Sequence, residues 1–332
     1  METSVAPQSA LLSSSLNSSL ASLSIAPPWL WVAFVVGVII LLLIDLSLFK
    51  KLHGNSTTKF ALGESAVWIS ISLLFNLWVA YEFGSELGVQ FLTGYLIEKS
   101  LSVDNLFVIL LVFSSFKIPN KYQHRVLFYG VLGAIVMRGI FIIIGAQLLH
   151  TFSWILYVFG AILLFTAIKF MLESPAEQEE EAKDNWAVRL VKKMIPVSQK
   201  LESDHFFTIE NGRRMATRLF LALVVIEITD LVFAVDSIPA VFSVTSDAFI
   251  AFASNILALL GLRALYFVLA ESVSKFRYLK PGLSAILAFI GIKMLVSSYV
   301  HISSWLSLGI IAAILIVAGV TSVLADKRDA RR

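Results

Sequence analysis

Nine stretches of this sequence are predominantly apolar for 18 or more positions: Trp29–Phe49, Glu64–Phe83, Phe91–Phe113, Val126–Leu149, Trp154–Leu172, Leu219–Phe242, Phe249–Ala270, Leu283–Val300 and Trp305–Leu324. Each is long enough to cross roughly 30 Å of hydrocarbon at about 1.5 Å per residue. Lipid offers no hydrogen-bond partner to a backbone. A spanning segment must therefore satisfy its own N–H and C=O groups, as a helix does. A membrane barrel would instead alternate apolar and polar residues in short segments, and this sequence does not. The expected fold is all-α: a polytopic membrane protein of about nine transmembrane helices.

Composition supports the same reading. Apolar residues make up 58% and charged residues 15% of the 332 positions, against roughly 25% charged in an average soluble domain. This excludes a soluble globular enzyme, a disordered chain and a nucleic-acid binder. The net charge of +3 reflects basic loops on one side of a membrane rather than an anionic partner.

The loops test the span count. Of the 26 Lys and Arg residues, 21 lie in loops that follow odd-numbered spans or in the C-terminal tail. The N-terminal segment and the loops after even-numbered spans hold none, and the other five lie inside spans. Positive loops stay in the cytoplasm. The N-terminus is thus expected outside and the C-terminus inside, in a multi-pass inner or plasma membrane protein.

The chain divides into an external Ser-rich tail (1–28), two accessory spans (29–83), a first three-helix unit (91–172), a cytoplasmic loop (173–218), a second three-helix unit (219–300), and a last span with a basic tail (305–332). In the cytoplasmic loop, Asn211-Gly212 stands between two strand-like runs, which is a strong hairpin signal.

The two three-helix units repeat one another. Glu98-x5-Asp104 aligns with Asp230-x5-Asp236 at an offset of 132. Arg138 aligns with Arg263 at an offset of 125, and Lys169 with Lys293 at 124. Spans 3–5 thus repeat as spans 6–8, each unit carrying an acidic, an Arg and a Lys helix. A unit of three spans enters the membrane in opposite senses in its two copies. The expected architecture is an inverted repeat, as in secondary transporters with a site near the midplane.

Glu98, Asp104, Glu227, Asp230 and Asp236 all fall inside spans 3 and 6. A charge at bilayer centre costs about 2.5–3.5 kcal/mol on insertion scales, so these acids point to a site. At about 100° per residue, Glu98 and Asn105 share a stripe and Asp104 sits about 120° from Glu98. Asp230, Ser237 and Asp236 repeat that arrangement. Pro239 cannot donate to the Val235 carbonyl, so a kink there would release an oxygen beside Asp236. Carboxylate, amide and carbonyl oxygens suit a hard cation. Cysteine is absent, and the five histidines (His53, His124, His150, His205 and His301) lie in loops or at span ends. Manganese, calcium or magnesium therefore fit better than zinc or copper. The competing reading has Lys99, Arg138, Lys169, Arg263 and Lys293 neutralise the acids in buried ion pairs. A mixed reading fits best, with Arg138 and Arg263 pairing some acids, Lys99 and Lys169 snorkelling, and the remaining acids binding cation or proton. Asp45 and Glu64 are weaker candidates at span ends.

The motifs Glu98-Lys-Ser-Leu-Ser-Val-Asp-Asn-Leu-Phe, Glu227-Ile-Thr-Asp-Leu-Val-Phe-Ala-Val-Asp-Ser-Ile-Pro-Ala and Gly291-Ile-Lys-Met resemble the TerC family of integral membrane proteins, and most closely its Alx branch. The resemblance covers roughly residues 30–325. It implies manganese efflux, a role in metal homeostasis and kinship with LysE-type exporters, and it places the family's motif acids on Glu98, Asp104, Glu227, Asp230 and Asp236. The family also carries older labels of tellurite resistance and redox modulation.

The functional expectation is an exporter of Mn²⁺, coupled to protons, rather than an enzyme. The expected partners are the bilayer, the divalent cation and protons, with no permanently bound cofactor. The alternatives are an exporter of a cationic organic solute, which would need an aromatic-lined pocket beside the acids, and a membrane scaffold or assembly factor. The oligomeric state is left open by the sequence.

Overall fold

The computed structural model describes residues 24–51, 58–152, 154–172, 198, 205–210, 213–270, 279–300 and 302–329. These form helices α1 (Pro28–Lys51), α2 (Thr58–Phe83), α3 (Ser85–Ser115), α4 (Asn120–Thr151) and α5 (Ile155–Leu172). After strands β1 (Phe207–Glu210) and β2 (Arg213–Ala216) come α6 (Arg218–Phe242), α7 (Ala248–Leu260), α8 (Leu262–Ala270), α9 (Leu279–Leu295) and α10 (Ser304–Asp329). The two strands pair antiparallel, Phe207 with Ala216 and Glu210 with Arg213. Asn211 and Gly212 between them, and the acidic run Glu177–Glu181, lie outside the described residues.

Among the described residues, five stretches are long and apolar enough to cross a membrane: Pro28–Asp45, Ala61–Phe83, Asn120–Thr151, Ala248–Val268 and Ser304–Ser322. The apolar parts of α5 and α9 are shorter, and α3 and α6 carry the internal acids. This is an all-α membrane protein. Its surface agrees with that reading: Trp29, Val32 and Leu43 of α1, Leu74 and Leu77 of α2 and Ile316 of α10 are each more than half exposed. Large apolar side chains in that state suit a lipid surround.

The core forms around α7, all of whose residues are buried. A helix apolar on every side can be stable only when neighbours cover every side. Helix α3 packs along α7, and α4 and α2 add further contacts. Trp31 of α1 stacks on Phe252, while Trp31 meets Phe249, and Phe34 meets both Phe249 and Phe252, edge to face, with ring centroids 5.3–5.8 Å apart. Asp247 caps the helix, its carboxylate accepting the Ile250 N–H at 2.9 Å. The helix is interrupted at Gly261, where the Lys99 ammonium and Trp68 press so closely that a Cβ would stand 2.8 Å from Nζ.

Helix α4 lies on α6 and α7 on α3, so helices α3 and α4 exchange neighbours with α6 and α7. Helices α5 and α9 pack extensively against each other. They approach at Gly160 and Gly291, where a Cβ on Gly291 would stand 2.9 Å from the Gly160 carbonyl oxygen.

Candidate functional site

The side chain of Arg138, on α4, is fully buried among α3, α6 and α7. Its Nη1 donates to Glu98 Oε1, to Ser237 Oγ at 3.2 Å and to Asn255 Oδ1 at 3.1 Å. Nη2 donates to Asp230 Oδ1 at 2.9 Å and Nε to Asp230 Oδ2 at 3.2 Å, a two-pronged carboxylate grip. Asn255 Nδ2 completes the ring by donating to Glu98 Oε2 at 2.8 Å. Asn105 Nδ2 donates to Asp230 Oδ1 at 3.0 Å. Glu98, Ser102 and Asn105 line one stripe of α3, while Asp230 and Ser237 line one stripe of α6, as helical spacing dictates.

Every member of this cluster is buried. A buried charge of either sign is tolerable only when paired and hydrogen-bonded. Two carboxylates on one guanidinium leave a formal charge of −1.

A cavity of about 30 Å³ adjoins the cluster, with Asn105, Thr229 and Asp230 as its polar lining and Val131, Ile226 and Phe233 among its apolar walls. It has room for one or two water-sized occupants. Asn105 Oδ1 is buried there without a hydrogen-bond partner. Glu227 stands apart from the ring. Its carboxyl packs over Gly133 of α4, where a Cβ would lie 2.2 Å from Oε1, and its Oε2 has no partner.

Several sequence expectations are corrected. Asp236 does not join Asp230 and Ser237. It turns to α5, accepting a hydrogen bond from Thr166 Oγ1 at 2.9 Å, because it sits about 120° round the helix from their stripe. Lys169 acts on it electrostatically. Arg263, which aligns with Arg138 in the sequence, is held by two other acids. Its Nη2 pairs with Asp45 at 2.6 Å and Glu64 at 2.9 Å, tying α8 to α1 and α2. Lys99 donates to the Ala258 carbonyl at 3.1 Å and Lys293 to Ser307 Oγ at 2.9 Å, so neither hydrogen-bonds a carboxylate. Pro239 is buried within α6, which continues through it to Phe242. The side chain of Asp104 lies outside the described residues. Among the described residues no three Asp, Glu or His side chains converge as a metal cage would require, because Arg138 fills the space between Glu98 and Asp230. Asn255, a lone amide in the apolar run Phe249–Leu260, reads from the sequence as an interhelical hydrogen-bonding group rather than a ligand, and it joins the ring in that role.

A sequence profile described as integral membrane protein TerC family matches residues 83–330. The chain belongs to the TerC family. That match covers every ring residue as well as the Gly160–Gly291 contact. Among TerC relatives, an uncharacterised membrane protein of Myxococcus xanthus, STKORF319, is 46% identical over 304 residues, which is 92% of this chain and 95% of the relative. A protein of Photorhabdus laumondii named as a candidate membrane-bound redox modulator, Alx, is 47% identical over 316 residues, 92% of this chain and 98% of its own. An Escherichia coli K12 protein of the same name is 45% identical over 314 residues, 92% and 97% of the two chains. No solved structure matches the chain.

Proposed function

We propose that this TerC-family protein exports a divalent metal cation, Mn²⁺ before Ca²⁺ or Mg²⁺, from the cytoplasm across the cell membrane in exchange for protons. One observation carries the reading. Glu98 and Asp230, which occupy matched positions in the two sequence repeats, meet on a single buried guanidinium beside a small cavity with an unpartnered amide oxygen. Hard oxygen donors of this kind suit Mn²⁺, Mg²⁺ or Ca²⁺. The incomplete cage suits a cargo that must also leave.

The transporter architecture in this proposal is nine spans with an inverted repeat of spans 3–5 and 6–8, the N-terminus outside and the C-terminus in the cytoplasm. The exchanged packing of α4 on α6 and α7 on α3 supports it, as does the one-sided distribution of loop charges. A cavity of about 30 Å³ favours a small ion over an organic solute, which needs pockets of several hundred Å³. Relatives bear a redox name, but this chain has no cysteine, so any redox effect would act through metal supply rather than thiol chemistry.

The test is flux in proteoliposomes loaded with Mn²⁺, Ca²⁺, Mg²⁺ or Zn²⁺. Wild-type protein is expected to move Mn²⁺, faster under an imposed pH gradient. Glu98→Gln and Asp230→Asn are expected to lose at least tenfold in rate while still inserting. Unchanged flux in the double variant would remove this site from the mechanism.

A further inference from the structure

We propose that the β1–β2 hairpin is a contact for anionic lipid. Its outer face enters the headgroup layer of the leaflet where α6 begins, the cytoplasmic one in the proposed topology, and its arginines favour acidic phospholipid there. The inference does not depend on the cation-export reading.

Side chains along a strand point alternately to two faces. Phe206 and Thr208 are partly buried, whereas Phe207 is 53% and Ile209 71% exposed. A strand with one face on a protein core and the other in water directs its polar residues outward. Here the outward residues are phenylalanine and isoleucine. The base of the hairpin is fixed, so this direction is built in. The Thr217 N–H donates to the Phe206 carbonyl at 2.9 Å, and the Thr217 hydroxyl to the His205 carbonyl at 2.9 Å. The Phe206 ring meets Tyr129 of α4 edge to face, with centroids 5.2 Å apart, and the Arg125 guanidinium lies 5.5 Å from its centre.

The outer face is continuous with the surface that lipid covers. Tyr129 heads an exposed stripe of α4 that runs on through Leu132 and Val136, the i, i+3, i+7 spacing of one helix face. Phe207 packs on Phe220, in the first turn of α6, with ring centroids 4.7 Å apart. The charge is complementary to acidic headgroups. Residues 205–218 carry Arg213, Arg214 and Arg218 against a single acid, Glu210. Arg214 stands opposite Ile209 in the strand register, so basic and apolar positions coincide. Apolar area joined to basic charge is what holds an element in the interface and gives it a preference for anionic lipid.

The chain has no cysteine, so Ile209→Cys offers a unique attachment point for a nitroxide. Ile209 is largely exposed, and its replacement should leave the melting temperature in detergent unchanged. Electron paramagnetic resonance on the full chain in vesicles then reads whether the label is reached by oxygen, which concentrates in lipid, or by a neutral nickel chelate, which stays in water. In phosphatidylcholine mixed with phosphatidylglycerol, oxygen is expected to win. In phosphatidylcholine alone, or with Arg213→Gln and Arg214→Gln added, accessibility to the chelate should rise about fivefold or more, on the order of what one arginine contributes near an anionic surface. A label equally immersed in all three samples would show apolar insertion without lipid recognition and overturn the proposal. Immersion that needs phosphatidylglycerol but not the arginines would overturn it too. So would a label open to the chelate in every vesicle, which would leave this face to a soluble protein partner.

Discussion

Arg138 has three nitrogens and meets two carboxylates, a hydroxyl and an amide oxygen. Removing one partner from such a buried network leaves the others charged in a low-dielectric interior, typically costing about 3–5 kcal/mol, whereas neutralising all partners together costs far less. Arg138→Met is therefore expected to lose much of its folded protein and to lower the melting temperature in detergent. The triple variant Arg138→Met, Glu98→Gln, Asp230→Asn should recover most of that loss while remaining inactive in transport. If the triple variant is no more stable than the single one, the ring is not a charge-balanced unit. Asn255 works at the same scale. It bridges Arg138 and Glu98 at once, which an amide can do because it carries both donor and acceptor.

At the scale of elements, the α5–α9 contact depends on Gly160 and Gly291. The atoms facing the missing Cβ of Gly291 include the Gly160 carbonyl oxygen and the Leu164 backbone nitrogen, at 2.9 and 3.0 Å. Backbone cannot rotate aside as a flexible side chain would, so the helices themselves must separate. Overpacking of this kind typically costs about 1–3 kcal/mol. Gly291→Ala is expected to lower thermal stability by that order, measured as the melting temperature in detergent, and Gly309→Ala, where nothing lies within 4 Å, should leave it unchanged. Equal effects at the two positions would show that helix propensity, not close approach, governs Gly291. The Arg263 cluster acts on another pair of elements. By holding Asp45 and Glu64, it ties α1 and α2 to α8.

At the scale of the whole molecule, apolar faces point outward and the charged ring lies at the centre, the reverse of a soluble protein and the arrangement lipid imposes. The exposed leucines and isoleucines of α1, α2 and α10 would aggregate in water. The proposed topology predicts the side of each loop. Reporter fusions at Lys192 and Ser85 are expected to read cytoplasm and exterior respectively, and the same side for both would discard the nine-span arrangement with its inverted repeat.

The sequence by itself determined the class of molecule, because long apolar runs admit one backbone solution in lipid. It also brought Glu98, Asn105, Asp230 and Ser237 onto two helical stripes, since spacing along a helix is fixed by its pitch. Which stripe meets which arginine was not legible. Arg138 and Arg263 align with one another in the sequence, yet one is held by Glu98 and Asp230 and the other by Asp45 and Glu64. That outcome depends on which helices surround each arginine: α3 and α6 around the first, α1 and α2 around the second. The direction of Asp236 toward Thr166, and the seat of Glu227 over Gly133, likewise follow from the neighbour each face of α6 receives. Helical periodicity orders side chains around one axis, and only the packing of several axes decides what each one touches.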